Sequence, residues 1–389
     1  MDFDLGDEQR LLKDSVGALI EKEYTFEQRK AYAKEPLGYS AARWAQYAEL
    51  GLLGLPFAEG EGGIGGTPVE TMIVMEAFGR GLVLEPYLAT VVLGGGLLRF
   101  AGSTAQRQEM IPAIAGGTLR LAFAHTERQA RYDLADVAVA AAPAPSTSSG
   151  GGGYVLSGAK GVVLHGDAAD RLIVSARTAG GQRERDGISL FLVDPKAAGV
   201  AVQGYPTVDG LRAAEVTFRD VRLDPEALLG PRDHALPIIE RAVDLAIAAT
   251  VAEAVGAMSV MHELTVEYLK TRKQFGVAIG SFQALQHRAV DMLVALEQAR
   301  SMAMLATMMA EAPDAGERRR IIAAAKVQCG RSGKFVGQQA IQLHGGIGMT
   351  DEYKVGHYFK RVTMIDTLFG DADHHLAAVA EAGGLIDPI

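Results

Sequence analysis

Between Val243 and Thr265 apolar residues return with a near-heptad rhythm: Val243, Ile247, Val251, Ala254, Met258, Met261 and Thr265. Such a repeat draws one apolar stripe along a helix of many turns, and a stripe that long has to be buried against other helices. Gly276 suits the end of this helix. Ser281 suits the cap of the next, whose face is Phe282, Leu285, Ala289, Met292, Leu296, Ala299 and Met302. The methionines read as core fillers. A third long helix is expected from about Glu317 to Leu343, and a fourth from about His357. Four long helices with short connections predict an antiparallel bundle. The least polar stretch, Val243 to Met258, is interrupted by Asp244 and Glu253. It is too short and too charged to be expected to span a bilayer.

The chain ahead of this bundle changes character twice. Asp7 suits an N-cap, followed by Leu11, Leu12, Val16, Leu19 and Ile20 at helical spacing. Trp44, Tyr47, Ala48 and Leu50 suggest a helix stopped by Gly51 and Gly54, and Pro68 suits a helix start ahead of Met72, Met75 and Phe78. The glycine-rich run from Glu59 to Gly66 lacks a flanking strand and lysine, so it reads as a connection. From about Thr118 the pattern turns to short apolar or alternating runs: Leu119 to Ala124, Val137 to Ala141, Tyr154 to Ser157, Leu172 to Ala176, Ile188 to Val193 and Ala214 to Phe218. These read as a small β-barrel or sandwich. Pro143 to Gly153 reads as a low-complexity, mobile hairpin loop. The expectation is an α+β chain: a helical domain over 1–117, a β domain over 118–229 and a four-helix bundle over 230–389.

A formal charge of −9 argues against nucleic-acid binding. The one basic run, Arg318-Arg319-Arg320, reads as a solvated helix start rather than a phosphate site. The single cysteine, Cys329, excludes an internal disulfide and fits a reducing compartment. Met1-Asp2-Phe3-Asp4-Leu5 has neither a basic n-region nor an apolar h-region. A cytoplasmic protein is expected.

Two motifs carry the chemistry. Arg272-Lys273-Gln274-Phe275-Gly276 is followed closely by Ile279-Gly280-Ser281-Phe282-Gln283, and later by Gln342-Leu343-His344-Gly345-Gly346-Ile347-Gly348. A guanidinium can grip a pyrophosphate with two charge-assisted hydrogen bonds, and a phenylalanine can pack on adenine. Alone, the first motif also reads as an ordinary helix end. With the domain order, the pair resembles the acyl-CoA dehydrogenase family, over essentially the whole chain. More narrowly, the acidic start, His125-Thr126-Glu127-Arg128 and Leu368 to His375 resemble the small subunits of pimeloyl-CoA dehydrogenases.

The resemblance implies an FAD enzyme that desaturates an acyl-CoA between its α and β carbons. In the family, residues matching Arg272 and Phe275 touch the ADP half of FAD bound mainly by a neighbouring subunit. Gln342 and Gly346 match positions that reach the same cofactor. Thr126 matches a contact to the flavin ring. Departures are as telling. The family's Gly-x-Lys-x-Trp-Ile-Thr-Asn-Gly stands here as Gly158 to Gly166, with Val162 for the tryptophan and Leu164 for the threonine. The catalytic glutamate falls on Phe369. The alternative base position, 29 residues before Phe275, is Ala246. Neither side chain can take a proton. Asp371 could substitute, although a carboxylate near a helix start is more often a cap. Asp371, Asp373, His374 and His375 are not expected to hold a metal, because adjacent histidines point apart on a helix.

What a subunit lends to its neighbour's FAD is kept, and what it uses on its own flavin is eroded. The resemblance therefore implies the non-catalytic type of subunit in a heterotetramer with a homologous catalytic chain. Such a complex would oxidise an acyl-CoA, dicarboxylic (pimeloyl-CoA) or bulky such as a steroid, and pass electrons to an electron-transfer flavoprotein. Two alternatives stand beside it: a self-sufficient homotetramer using a base such as Asp371, and a non-catalytic acyl-CoA-binding scaffold.

Overall fold

A computed structural model describes residues 5–144 and 152–384. Met1 to Asp4, and Pro145 to Gly151 of the expected hairpin loop, lie outside the described residues. Helices come first: α1 (Asp7–Glu23), α2 (Phe26–Tyr32), α3 (Ala41–Glu49), α4 (Pro68–Gly81), α5 (Gly95–Ala101) and α6 (Thr104–Ala115). Strands follow: β1 (Leu121–Ala124), β2 (Ala140–Pro143), β3 (Tyr154–Leu164), β4 (Arg171–Arg177), β5 (Ile188–Val193), β6 (Val200–Pro206), β7 (Arg212–Leu223) and β8 (Leu228–Leu229). The chain closes with α7 (Leu236–Thr271), a small hairpin of β9 (Lys273–Gln274) and β10 (Val277–Ala278), then α8 (Gln283–Met309), α9 (Ala315–His344), α10 (Val355–Thr367) and α11 (Ala372–Glu381).

The fold is the α+β arrangement expected, and it divides into two compact units. One holds residues 32–67 and 84–246, the other the remaining described residues. The first unit is built on one eight-stranded mixed sheet, in the order β6-β7-β3-β2-β4-β5-β8. β1 runs parallel beside β4, pairing Leu121 with Arg171 through to Ala124 with Val174. Its core includes Leu156, Leu172, Val174, Phe191, Val216 and Phe218. Sequence reading ended β3 at Ser157 because Gly158, Lys160 and Gly161 break the alternation. The strand continues through two register shifts against β7, at Leu156/Gly158 and Lys160/Val163. A bulge of this kind bends a strand without ending it. β6 was missed because its apolar run is only Val200-Ala201-Val202, followed at once by Gln203 and Gly204; it pairs on one side only, with β7.

The second unit is the bundle. α7 is long and apolar enough to cross a membrane by length and composition, but 94% of its most apolar window is buried inside the protein. It is a core helix. Glycine sets how closely α4 approaches it: a Cβ on Gly79 would stand 1.9 Å from the Glu253 carbonyl oxygen, and one on Gly256 would stand 2.0 Å from that of Glu76. The two charged residues interrupting the apolar run are both buried. Glu253 accepts from Arg361 of α10, Nε to Oε1 at 2.6 Å and Nη2 to Oε2 at 2.7 Å. Buried Lys326 of α9 donates to the carbonyls of Ile365 and Asp366 at the end of α10. Burial holds that amine down at about 8.

Several local expectations shift. Gly6, not Asp7, precedes α1 as its cap, and its N–H is taken by the Gln9 side chain at 3.0 Å. Gly276 turns a hairpin rather than ending α7. Ser281 sits in a tight turn and donates to Ala278 O at 2.7 Å, leaving the cap of α8 to Phe282. The expected face of α8 is buried at Met292, Leu296 and Ala299, while Phe282 is exposed and Leu285, Ala289 and Met302 are only half-buried. The fourth helix breaks into α10 and α11. Arg318 is buried and donates to Ala312 O at 2.8 Å, so the basic run is not a purely solvated face.

Candidate functional site: two exposed helix ends

The first motif leaves α7 as a projecting hairpin. Arg272 N–H still donates to Tyr268 O at 2.8 Å, and Ile279 N–H closes on Arg272 O at 2.9 Å. Gln274 pairs with Val277, so the turn is Phe275-Gly276. Both residues have positive φ, 54° and 81°. Such a two-residue turn suits tight hairpins, but phenylalanine takes that conformation at a cost. The result is a ring 90% exposed, in edge contact with Phe282 at 6.2 Å. Arg272 is exposed, and its guanidinium has no hydrogen-bond or ion-pair partner among the described residues. A bare cation and a bare aromatic ring on a stiff turn can receive a ligand.

The second motif ends α9. Gln342 is exposed, and Gly345 (φ 64°) turns the chain into a short tight helix over Gly345–Met349. Nothing lies within 4 Å of where a Cβ on Gly346 would stand, so its backbone is open to close approach. The two helix ends meet through His344, whose ring centroid lies 4.6 Å from that of Tyr268. Cation, amide, bare backbone and exposed ring are the donor set that the pyrophosphate and adenine of FAD call for. The ADP half of the cofactor fits these residues.

In the other unit, Thr126 is exposed and its hydroxyl has no partner among the described residues; its carbonyl accepts the Gly161 N–H at 2.8 Å. Beneath it is a buried network that sequence reading missed. Lys160 Nζ donates to His125 O (3.0 Å), Glu127 Oε1 (2.7 Å) and Ser175 Oγ (3.0 Å). The signal was available: a lysine in an apolar strand needs a buried acid. Burial lowers the Lys160 amine to about 8 against the pull of Glu127. Burial pushes the Glu127 carboxyl up, but the Lys160 ion pair outweighs it, so the net shift is downward. Val162 stands 43% exposed at φ 49°, a strained conformation for a β-branched side chain. Leu164, half-buried, offers no hydrogen bond.

At the expected base positions no carboxylate appears. Ala246 is fully buried. Phe369 takes φ 60°, and His375 Nε2–H donates to its carbonyl at 2.9 Å. Asp371 caps α11, accepting the His374 N–H at 2.9 Å. His374 is exposed and His375 buried. Among the described residues no three His, Cys, Asp or Glu side chains gather as metal ligands.

Two histidines, His375 buried and His125 half-buried, give a pH prediction. Burial, helped by Lys160, holds His125 near 3, and burial holds His375 near 4 despite the Phe369 carbonyl. Unfolded histidine titrates near 6.5. Between those values the unfolded chain binds protons that the folded chain refuses, so stability falls as pH falls. The slope is at most about 1.4 kcal/mol per pH unit for each histidine. Melting temperature should drop steadily from about pH 7 to about pH 5, and His125→Gln with His375→Gln should flatten the drop; a flat parent curve contradicts this.

A helical segment, a mixed sheet and a long-helix bundle, with a cation, an amide and an aromatic ring exposed on two helix ends, suit a dinucleotide-dependent oxidoreductase. Family models for the N-terminal, middle and C-terminal domains of acyl-CoA dehydrogenase match residues 6–118, 122–221 and 236–384. The chain belongs to the acyl-CoA dehydrogenase family, and its cofactor is FAD. It is 28% identical over 387 residues to the probable acyl-CoA dehydrogenase YngJ of Bacillus subtilis, covering 98% of this chain and 99% of that one. Among solved structures it is similar to the Tcur3481-Tcur3483 steroid ACAD in a variant form (28% identity, TM-score 0.85, 97% of this chain and 98% of that one). It is also similar to the ChsE4-ChsE5 complex of Mycobacterium tuberculosis (25% identity, TM-score 0.86, 98% of each chain).

Proposed function

We propose that this chain is the FAD-completing subunit of a two-chain acyl-CoA dehydrogenase, working with a homologous catalytic chain in a heterotetramer. One observation carries the reading. The residues suited to a dinucleotide, Arg272, Phe275, Gln342 and Gly346, all face solvent, while Phe369 and Ala246 stand where a base would be. The capping bond of Asp371 commits that carboxylate to α11, which speaks against a self-sufficient enzyme. Two of the similar structures bear paired names, ChsE4-ChsE5 and Tcur3481-Tcur3483. Exposed Val290, Leu293 and Val294 on the outer side of α8 add apolar surface of the kind a partner chain covers.

FAD, when bound, supplies the two-electron oxidation of the acyl chain. Arg272 and Gln342 would hold the dinucleotide's phosphates, and Phe275 would offer its ring to adenine. The proton is taken by a glutamate of the partner. The substrate is an acyl-CoA, bulky or dicarboxylic such as pimeloyl-CoA, the product its trans-2-enoyl-CoA, and the electrons pass to an electron-transfer flavoprotein in the cytoplasm. The test is flavin content. Purified alone, the chain should be nearly colourless and inactive on a panel of acyl-CoAs. Co-purified with a homologous dehydrogenase chain that keeps the glutamate, it should carry two FAD per four chains. Ordinary turnover by this chain alone would sink the proposal, and a colourless complex would leave it a scaffold.

A further inference from the structure

The proposed cofactor surface is made from the ends of two helices, and a buried side chain joins them. His344, in the last turn of α9, is 2% exposed. A carbonyl only accepts, so its Nδ1–H donates to Ala340 O, at 2.8 Å. The Tyr353 hydroxyl donates to Nε2 of the neutral ring at 3.2 Å. On one side the imidazole lies 4.6 Å from the Tyr268 ring, tilted by 32°; on the other it lies 5.0 Å from the Tyr353 ring. Burial keeps the imidazole below its ordinary pKa, against the Ala340 and Leu264 carbonyls that favour the charged form. A continuous path results. Arg272 hangs by its N–H from Tyr268 O, Tyr268 packs on His344, and His344 lies between Gln342 and Gly346 in sequence.

We infer that His344 is a positioning residue: held between Tyr268 and Tyr353, it fixes the spacing between Arg272 and the Gln342–Gly346 turn so that both meet one dinucleotide pyrophosphate. The inference rests on the cofactor reading above. A ligand gripped from two elements is held tightly only where the elements keep their distance before it arrives. The sequence put His344 inside the motif and assigned it no role. Its surroundings supply one: partners at both nitrogens and rings on both faces hold the imidazole in one orientation between the two helix ends.

The test uses the purified complex of this chain with its catalytic partner, stripped of flavin, and reads FAD affinity by flavin fluorescence. Tyr353→Phe keeps the ring and removes only the hydroxyl. It should fold as the parent does and weaken FAD about fivefold; His344→Ala should weaken it about thirtyfold. His344→Asn, which keeps an N–H near the Nδ1 position, should recover part of that loss. A purely structural role would lower melting temperature alone. The discriminating measurement is coupling: in an Arg272→Met background, Tyr353→Phe should cost no further affinity. The inference is overturned if Tyr353→Phe binds FAD within twofold of the parent, or if its cost is undiminished in the Arg272→Met background. An Arg272→Met complex that keeps its FAD would overturn the cofactor reading itself, and this inference with it.

Discussion

Arg361→Met should lower the melting temperature of the complex by about 10 °C. The cause is the partner left behind rather than the arginine lost. Glu253 lies in the long apolar helix α7, and both its oxygens are taken by Arg361, at 2.6 and 2.7 Å. Each side chain is 5% exposed. Removing one member of a sealed ion pair typically costs about 3–5 kcal/mol, because a desolvated charge is stranded. That is a large part of the roughly 5–15 kcal/mol by which proteins are stable, and the shift follows from about 2–4 °C per kcal/mol in larger domains. Scanning fluorimetry checks it. Adding Glu253→Gln should restore part of the loss by removing the stranded charge. An unchanged melting temperature would mean that water reaches Glu253 in the variant.

Arg272→Met should have the opposite profile: an intact fold and a lost cofactor. The guanidinium is exposed and makes no hydrogen bond among the described residues, so its removal should move stability by no more than about 0.5 kcal/mol. In the proposed site its bonds to a pyrophosphate would be charge-assisted, and losing them should weaken FAD about 100-fold. Gel filtration of the complex would then yield the same assembly without its yellow band. Arg272→Lys should recover only part of the affinity, because an ammonium is a point charge without the planar fork. A yellow Arg272→Met complex would show that the motif is only a helix end.

These variants also show what could be read from sequence. The bundle was legible because its apolar period survives in α7 and α9, and the strands were legible wherever apolar runs are uninterrupted. β6 was not, because this edge strand packs only Val200 and Val202 on the core before Gln203 and Gly204 break the pattern. The end of α7 was misplaced by one turn. Gly276 suits a helix stop and a hairpin equally well, and only the pairing of β9 with β10 decides between them. Arg272, Phe275, Gln342 and Gly346 were picked out by motif, and the structure places all four at the surface of two helix ends. His344, Lys160 and Glu253 were not legible, because their roles come from partners distant in the chain: Tyr353 and Tyr268, Glu127 and Ser175, and Arg361. A charge inside an apolar run was the available sign for two of them, and its meaning is a buried counter-charge.

The exposed ring of Phe275 has a consequence for the living cell. A bare phenylalanine on a stiff turn, with valines and leucine bare on α8, is the kind of surface by which chaperones and proteases recognise unassembled subunits. In the two-chain complex proposed above, copies made in excess of the catalytic chain would be cleared rather than stored. The steady level of this protein would then follow the dosage of its partner, however strongly its own gene is expressed.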